Sequence, residues 1–259
     1  MAIAVSVRHV TKIIRGAVVL DDVSLELAAG RVYGLRGANG SGKTMLMRAL
    51  CGLIRPTKGE VTVDGRRVGS SVAFPDGVGA LIEHPAFLAK LTGFKNLALL
   101  GRIRGVVTAG DVRQALRDVG LEPADRRPFR KFSLGMKQRL GIAAALMEHP
   151  GLIVLDEPAN GLDVDSMRLL RRLLAQRRDE GALVVLSSHD QAELDFLADE
   201  VFEFSAGKVT GSRGSPRGAD GGPLGVGSER SLYQSPEGGP VPPAAAPRRS
   251  AGKARRGWL

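Results

Sequence analysis

The feature that most constrains this 259-residue chain is an unbroken glycine-rich segment, Gly37-Ala38-Asn39-Gly40-Ser41-Gly42-Lys43-Thr44. It follows the pattern G-x-x-x-x-G-K-[S/T], in which glycines let backbone N–H groups surround phosphates. The flanking residues supply the required context, because residues 31–36 predict a short strand and residues 45–50 predict a helix. The alternative is a chance glycine turn, and the match at every fixed position argues against it. We therefore expect this segment to bind the phosphates of a nucleoside triphosphate.

Lys43 and Thr44 have predicted roles of their own. In loops of this kind the lysine reaches the β- and γ-phosphates and the hydroxyl is a ligand of Mg²⁺. The helix that follows points its positive end at the phosphates. We predict that residues 37–44 bind the nucleotide, that Lys43 also takes part in catalysis, and that Thr44 also contacts the metal.

A second candidate site follows the apolar run Leu152–Leu155, which ends in Asp156 and Glu157. Ligands of open α/β sheets bind at the carboxyl ends of the strands. We expect Asp156 to contact Mg²⁺, directly or through water, and Glu157 to polarise an attacking water as general base. Alone, such a pair is more often a helix cap or a turn, but the upstream phosphate loop favours the functional interpretation.

Ser133 opens a third segment, Ser133-Leu134-Gly135-Met136-Lys137-Gln138-Arg139. Ser133 is a suitable N-cap for the helix that the following apolar stripe predicts. The functional alternative is that Ser133, the Gly135 backbone and the helix N-terminus form a second phosphate grip. Such a grip, this far along the chain, would serve the nucleotide of a partner subunit.

The order of strand and helix patterns predicts the fold. Residues 1–30 contain two β-branched runs and predict a small antiparallel sheet, to which residues 61–63 add a strand and a hairpin turn. From about residue 85 to 147 the apolar spacing becomes helical, and buried strands with an intervening helix follow. We predict an α/β fold, a mostly parallel sheet with an N-terminal antiparallel β subdomain and an inserted helical subdomain.

The formal net charge is +10, and half of this excess lies beyond residue 210. That segment is dense in Gly, Pro, Ser and Ala, so it cannot bury enough apolar surface to offset its ordering entropy. We predict a folded domain at residues 1–210 and a disordered basic tail at residues 211–259. A solvated extension is the first interpretation of the tail, and weak attraction to anionic lipid is the second.

Cysteine usage and hydropathy indicate the compartment. The single cysteine, Cys51, excludes an internal disulfide, fits a reducing environment and is expected to pack in the helix after the phosphate loop. No run approaches the roughly 18 apolar residues of a membrane span, and the N-terminus lacks the layout of a secretion signal. By itself the chain is expected in the cytosol.

These segments, taken in order, resemble the motifs of one family. Over about residues 5–210 the chain is similar to the nucleotide-binding subunits of ABC transporters, which implies a P-loop NTPase core. The matches are Walker A at Gly37 to Thr44, the signature motif at Ser133 to Arg139, Walker B at Leu152 to Glu157, the D-loop at Asn160-Gly161-Leu162-Asp163, and the switch histidine in Ser187-Ser188-His189.

The resemblance implies an assembly. Two subunits, expected to be a homodimer, would sandwich two ATP molecules, each between the Walker A motif of one chain and Ser133 to Gly135 of the other. His189 would contact the γ-phosphate and stabilise the charge that develops during hydrolysis. The implied cofactors are ATP and Mg²⁺. The implied partners are the second subunit and separate integral membrane permease subunits, with no nucleic acid.

The chain departs from the family pattern at several positions. Leu134 replaces a glycine and Met136 a glutamine, while Gly135 is retained. Glu83 stands at the position of the Q-loop glutamine, and because a carboxylate would repel the γ-phosphate, we predict that it contacts the metal or holds a metal-bound water. Ile14 stands where an aromatic residue normally stacks on adenine, which predicts weak discrimination between bases.

The predicted function is the ATP-hydrolysing subunit of an ABC transporter at the cytoplasmic face of the membrane. The Ile-Glu-x-Pro run at Glu83 and the Ser-Leu-Gly-Met signature resemble the bacitracin- and lantibiotic-type exporters, so an antibiotic or bacteriocin cargo is expected. The alternative is a soluble ABC-type ATPase that acts on ribosomes or DNA. Such proteins carry fused ATPase units, coiled coils or zinc motifs, and the chain has none of these features.

Overall fold

The computed structural model describes residues 3–214, so most of the predicted tail lies outside the described residues. In chain order this part contains β1 (Val5–Ile14), β2 (Ala17–Leu27), β3 (Arg31–Arg36), α1 (Lys43–Leu50), β4 (Lys58–Val63), β5 (Arg66–Arg67), β6 (Val78–Leu81), α2 (Gly93–Arg104), α3 (Ala109–Asp118), a 3₁₀ turn (Phe129–Lys131), α4 (Leu134–Leu146), β7 (Leu152–Leu155), α5 (Val164–Asp179), β8 (Leu183–Ser188), α6 (Gln191–Leu197), β9 (Glu200–Ser205) and β10 (Lys208–Gly214).

The N-terminal strands form the predicted antiparallel sheet, in the order β2-β1-β4-β5. Arg15 and Gly16 join β1 to β2 with φ angles of 50° and 84°. Asp64 and Gly65 join β4 to β5 with φ angles of 49° and 71°. Positive φ at both central residues is the requirement of the two-residue hairpin turn whose twist matches that of its strands. The hairpin turn predicted after residues 61–63 is therefore present, and a turn of the same kind joins β1 to β2.

The second sheet has the order β10-β9-β3-β8-β7-β6, and all its pairs except β10 with β9 are parallel. Strands β7 and β8 are buried along their whole length, as expected for central strands covered on both faces. Parallel pairing brings the carboxyl ends of β3, β7 and β8 to one edge, where Arg36 pairs with Ser188. The phosphate loop and Asp156 leave the sheet at this edge.

The two faces of this sheet belong to different cores. Alternate side chains, Ile153, Leu155, Val184 and Leu186, pack with the helices that include α4 and α5. The intervening ones, Leu152, Val154, Leu183 and Val185, pack with α1 and the antiparallel sheet. The domain is thus three layers thick, with the parallel sheet in the middle. Cys51 is buried in the second core, and burial raises the pKa of its thiol to about 12.

The predicted helical insertion contains α2, α3, the 3₁₀ turn and α4. Its helices begin at side-chain caps, Thr92 for α2, Thr108 for α3 and Ser133 for α4. Helix α4 lies close against β6, since a methyl group added at Gly141 would come within 2.8 Å of the Leu81 side chain. The predicted fold class is confirmed. Strand β10 runs to Gly214, four residues past the boundary predicted at residue 210.

Candidate functional site

A cleft of about 500 Å³ opens at the carboxyl edge of the parallel sheet. This volume lies within the range of about 300–1,000 Å³ that is usual for small-molecule sites. The cleft brings together two of the three predicted segments, because the phosphate loop and the two carboxylates after β7 share its wall. The lining residues are Ile14, Val19, Asn39, Gly40, Ser41, Gly42, Lys43, Thr44, Met45, Asp156 and Glu157.

The phosphate loop needs its glycines for space. A methyl group at Gly37 would lie 2.3 Å from the Phe204 carbonyl oxygen, and one at Gly42 would lie 2.9 Å from the Val19 carbonyl oxygen. Gly42 also has a φ of 111°, which side chains rarely tolerate. The buried Ser41 hydroxyl has no hydrogen-bond partner within residues 3–214. A buried polar group without a partner is costly, so this cradle is suited to an acceptor such as a phosphate oxygen.

Lys43 lies folded against the loop. Its Nζ atom donates to the carbonyl oxygens of Gly37 at 2.6 Å and Ala38 at 3.1 Å. Burial lowers the pKa of Lys43, and the negative charges of Glu157 and Asp156 oppose this shift. The ammonium group is thus held in place before any phosphate arrives, at a cost in hydration.

Thr44 and Asp156 form the part of the site that fits a divalent cation. The Thr44 hydroxyl donates to Oδ2 of Asp156 at 2.7 Å, and the Ser187 hydroxyl donates to its Oδ1 at 2.6 Å. Asp156 is buried, so these two bonds fix its carboxylate. A hydroxyl and a carboxylate are hard oxygen ligands of the kind that Mg²⁺ takes beside substrate phosphates. The donor set that the sequence predicts here therefore fits Mg²⁺.

Glu157 and His189 meet next to the cleft. The Nδ1 atom of His189 lies 3.0 Å from Oε2 of Glu157. An ionised carboxylate can only accept, so Nδ1 carries the proton of this bond. The backbone N–H of Glu157 donates to the Ser187 hydroxyl at 2.9 Å, which fixes the start of the side chain. The His189 side chain is 62% exposed and its free ring edge is accessible to a ligand.

Two residues that the sequence analysis quoted without a role help to build this arrangement. Ser187, at the end of β8, joins Asp156 and Glu157 through its hydroxyl. The buried Gln138 of α4 donates to the carbonyl oxygens of Glu157 at 3.1 Å and Pro158 at 3.2 Å. The position of Ser187 beside Asp156 could have been predicted, because it follows from parallel pairing of β7 with β8. No local pattern indicated the role of Gln138, because its hydrogen bonds join the segment after Ser133 to the residues after β7.

Ser133 and Gly135 lie apart from the cleft lining. Ser133 is the predicted N-cap, because its hydroxyl accepts from the Met136 N–H at 3.2 Å, and it is exposed. Gly135 packs against the D-loop, where a methyl group would lie 2.7 Å from the Gly161 carbonyl oxygen. Neighbouring Leu134 is 64% exposed. The predicted phosphate grip of these residues is thus not assembled with the chain's own phosphate loop and stays a prediction.

Glu83 is also absent from the cleft lining. Its carboxylate pairs with Arg48 of α1, with 2.5 Å between Oε1 and Nη2. Its backbone has a φ of 62°, which directs the chain sharply after β6. The predicted contact of Glu83 with the metal is not seen within this chain and stays a prediction.

The family model for ABC transporters matches residues 20–160 of this sequence, more than half of the chain. The chain belongs to the ABC transporter family. The matched residues include the phosphate loop, the segment from Ser133 to Arg139 and the two carboxylates after β7, and the ATP-binding cassettes of this family hydrolyse ATP. The predicted family and ATPase activity are confirmed.

Two named relatives and one solved structure are similar to this chain over most of its length. The bacitracin transport ATP-binding protein BcrA of Enterococcus faecalis is 39% identical over 203 residues, which cover 78% of this chain and 66% of BcrA. The lantibiotic transport ATP-binding protein SrtF of Streptococcus pyogenes is 37% identical over 191 residues, 74% of this chain and 82% of SrtF. A solved structure titled as the ATP-binding subunit of an ABC transporter has a TM-score of 0.74 at 27% identity and covers 81% of this chain and 89% of its own. The predicted resemblance to the bacitracin and lantibiotic branch is confirmed.

Within residues 3–214 no helix meets the length and hydropathy that a membrane crossing requires.

Proposed function

We propose that this ABC ATPase powers the export of antibiotic- or bacteriocin-type peptides through separate membrane subunits. It would work as a two-fold dimer, with Mg²⁺, at the cytoplasmic face of the membrane. The observation that carries the proposal is the contact of Glu157 with His189, 3.0 Å apart beside a phosphate loop in a family of transporter ATPases.

The phosphate loop binds and orients the nucleotide. Backbone N–H groups of the phosphate loop, the Ser41 hydroxyl and the start of α1 would receive the phosphates, and Lys43 would leave the carbonyl oxygens of Gly37 and Ala38 to contact them. Thr44 and Asp156 would hold Mg²⁺, which would neutralise part of the phosphate charge. Ser187 keeps the Asp156 carboxylate oriented for this task.

Glu157 and His189 carry the hydrolytic step. Glu157 takes a proton from the attacking water. Its backbone is fixed by Ser187, which accepts from its N–H, and by Gln138, which donates to its carbonyl oxygen. His189 contacts the Glu157 carboxylate through Nδ1, and its exposed side chain would let Nε2 approach the negative charge that develops on the phosphate.

The dimer is supported by the position of Ser133 and Gly135. Both lie outside the cleft, at the exposed start of α4, where N–H groups are available to a ligand that comes from another chain. In a two-fold dimer the same pair of surfaces meets twice, so two equivalent nucleotide sites form. Exposed Leu134 would then be covered by the second chain.

The cargo class is supported by relatives that are named for bacitracin and lantibiotic transport. We propose to test it in a bacitracin- and nisin-sensitive bacterial strain that expresses this chain together with a candidate membrane subunit. Export predicts that the minimal inhibitory concentration of one peptide rises, and that the rise disappears with Glu157→Gln.

A control in that assay separates transport from other roles. The chain should co-purify with the membrane protein, and Glu157→Gln should not reduce the yield of that complex. Unchanged resistance to a panel of peptides together with no membrane complex would contradict the proposal. Association with ribosomes or DNA instead would favour the soluble alternative.

A further inference from the structure

A further cavity lies between helix α3 of the helical subdomain and helix α5. We call it the α3–α5 cavity; Asp118 of α3, Met147 at the end of α4 and Arg177 of α5 are among the residues that line it. Its volume is about 340 Å³, near the lower limit of the range of about 300–1,000 Å³ for small-molecule sites. Within the described residues it shares no lining residue with the nucleotide cleft. It is therefore a separate candidate site, and its size suits a small ligand.

Part of the lining is apolar and buried. Val119, Ala143, Leu146 and Met147 border the cavity, and each is at most 5% exposed. Removing apolar ligand surface from water against such a wall is favourable. The unbranched thioether of Met147 can also adapt to the shape of a neighbour. This part of the cavity favours a ligand with a short apolar body.

The Arg177 guanidinium is buried in the wall and only partly paired. Its side chain is 10% exposed, and its Nη1 atom donates to Oε2 of Glu180 at 2.8 Å and to Nδ1 of His149. Within residues 3–214 its Nε and Nη2 groups donate to no other atom, and the protein does not enclose them completely. The guanidinium has five N–H donors, in a planar arrangement that matches a carboxylate. The free donors therefore favour a ligand carboxylate.

Two carboxylates on α3 supply the opposite charge. Oδ1 of Asp118 accepts from Nε2 of Gln114 at 2.6 Å, and Oδ2 of Asp111 accepts from the N–H and the hydroxyl of Thr108 at 2.8 Å and 2.7 Å. All these donors are neutral, and within residues 3–214 the second oxygen of each carboxylate accepts no hydrogen bond. Neither carboxylate makes an ion pair there. A ligand ammonium group would compensate this negative charge.

We propose that the α3–α5 cavity binds a small zwitterion, an α-amino acid with an apolar side chain. Its carboxylate would accept from the free donors of Arg177, its ammonium group would contact Asp118 and Asp111, and its side chain would pack on Leu146 and Met147. A simple anion would face two carboxylates, and a diamine would leave the donors of Arg177 without an acceptor. The proposal does not depend on the proposed transport function, so the two can fail separately.

Methionine methyl NMR of the full chain without nucleotide would locate the binding. Met147 lines the α3–α5 cavity and Met45 lines the nucleotide cleft, so the two methyl groups report on separate sites. L-leucine, L-methionine and L-phenylalanine are the probes. At least one of them should shift the Met147 signal and leave the Met45 signal in place. No shift of Met147 with any probe, up to the solubility limit, would overturn the proposal.

Analogues of the ligand test both charged ends. N-acetyl-L-leucine lacks the ammonium group, and L-leucinamide lacks the negative charge of the carboxylate. Each should bind about tenfold or more weakly than L-leucine, because each loses a charge-assisted contact. Acetate and putrescine carry only one kind of charge and should also bind more weakly. If either of them binds as tightly as L-leucine, the assignment to a zwitterion is wrong.

Variants of the chain test the two contacts. Asp118→Asn keeps an acceptor for Gln114 but loses the charge, and Arg177→Lys keeps the charge but loses the planar arrangement of donors. Each should lower the affinity for L-leucine by about tenfold or more. Asp165→Asn and Arg172→Lys make the same changes at exposed positions of α5 outside the lining and should have no effect. Wild-type affinity in either cavity variant would contradict the proposal.

Thermal unfolding keeps the test valid if Arg177→Lys is less stable than the wild type. A ligand that binds only the folded state raises the unfolding temperature by an amount set by its dissociation constant, and each variant is compared with itself in the absence of ligand. L-leucine at one hundred times its dissociation constant should raise the value of the wild type by about 5–10 °C. At the same concentration, the rise in Arg177→Lys should be about half of this or less. An equal rise would overturn the proposal.

Discussion

The nucleotide cleft and the segment around Ser133 differ in how far a single chain completes them. In the cleft, Thr44, Asp156, Ser187 and Glu157 form one run of hydrogen bonds, and Asp156 and Ser187 are buried. At the start of α4, Ser133 bonds only its own helix turn and is exposed, with Leu134 beside it 64% exposed. One region is preorganised for a ligand within the chain, and the other presents its polar groups outwards.

This difference follows from where each region sits. The cleft residues lie at the ends of central parallel strands, where pairing of β3, β7 and β8 fixes their spacing. Ser133 begins a helix of the inserted subdomain, and this helix meets the sheet further along its length, where Gly141 lies against Leu81 of β6 and Gln138 donates to the Glu157 carbonyl oxygen. A central sheet edge can hold a complete site, whereas a helix start at the surface supplies half of one.

The largest expected effect is in the cleft, at the general base. Glu157→Gln keeps the size of the side chain but cannot take a proton, so turnover should fall by about 10²–10⁴-fold. ATP should still bind, because the phosphate loop is unchanged. Steady-state phosphate release and equilibrium ATP binding measure the two properties, and turnover close to the wild type would remove Glu157 from this role.

A smaller effect concerns the apolar end of the cleft. Ile14 and Val19 line it, and no aromatic side chain lies among the lining residues within the described part of the chain. Stacking on an aromatic contributes about 1–3 kcal/mol per base, so this cleft should depend on phosphate contacts. ATP and GTP should bind within about tenfold of each other, or about 1.4 kcal/mol.

Competition binding with both nucleotides tests this prediction. Ile14→Tyr provides the gain-of-contact variant, and Ile13→Tyr, at an exposed neighbouring position outside the lining, is its control. We expect Ile14→Tyr alone to strengthen binding of both nucleotides. A strong preference of the wild type for ATP would mean that another group reads adenine.

The smallest expected effect is on the stability of the fold. It concerns Lys43, whose charge favours ATP binding but opposes folding. Burial lowers the pKa of Lys43, so between that pKa and 10.5 the unfolded chain binds more protons than the folded one. Stability from this residue therefore rises with pH in that interval, and below it the charged lysine is a cost. Lys43→Met should raise the unfolding temperature by about 2–4 °C near neutral pH while abolishing ATP binding.

Thermal unfolding at pH 7 and pH 9.5 checks the sign. The advantage of Lys43→Met over the wild type should shrink as the pH rises, because the wild type then loses its charged lysine. Lys58→Met, at an exposed lysine of β4, should show neither effect. A destabilised Lys43→Met would mean that its bonds to Gly37 and Ala38 outweigh the cost of burial.

Sequence reasoning located the cleft because local patterns encode it. The phosphate loop, the strand before Asp156 and the strand before His189 each have their own signal, and parallel pairing brings their ends together. The hairpin turn at Asp64 was likewise predicted from a single dipeptide, Asp64-Gly65. Each of these features is specified by residues that are close together in the sequence.

The contacts that sequence reasoning missed join distant segments. Gln138 of α4 donates to the carbonyl oxygen of Glu157, and Arg48 of α1 pairs with the Glu83 carboxylate. A carboxylate in a loop pairs with whichever cation the fold brings near, and no local pattern specifies that cation. The extension of β10 to Gly214 depends likewise on its pairing with β9 rather than on its own composition.

The most direct test of the account is the mass of the chain in solution, because we propose that the segment around Ser133 completes the cleft of a second chain. Light scattering of Glu157→Gln without nucleotide should give a single chain, 27.4 kDa. With ATP and Mg²⁺ the mass should double, and adding Ser133→Arg to the same variant should keep it monomeric although ATP still binds. A monomer in Glu157→Gln that is saturated with ATP and Mg²⁺ would contradict the account.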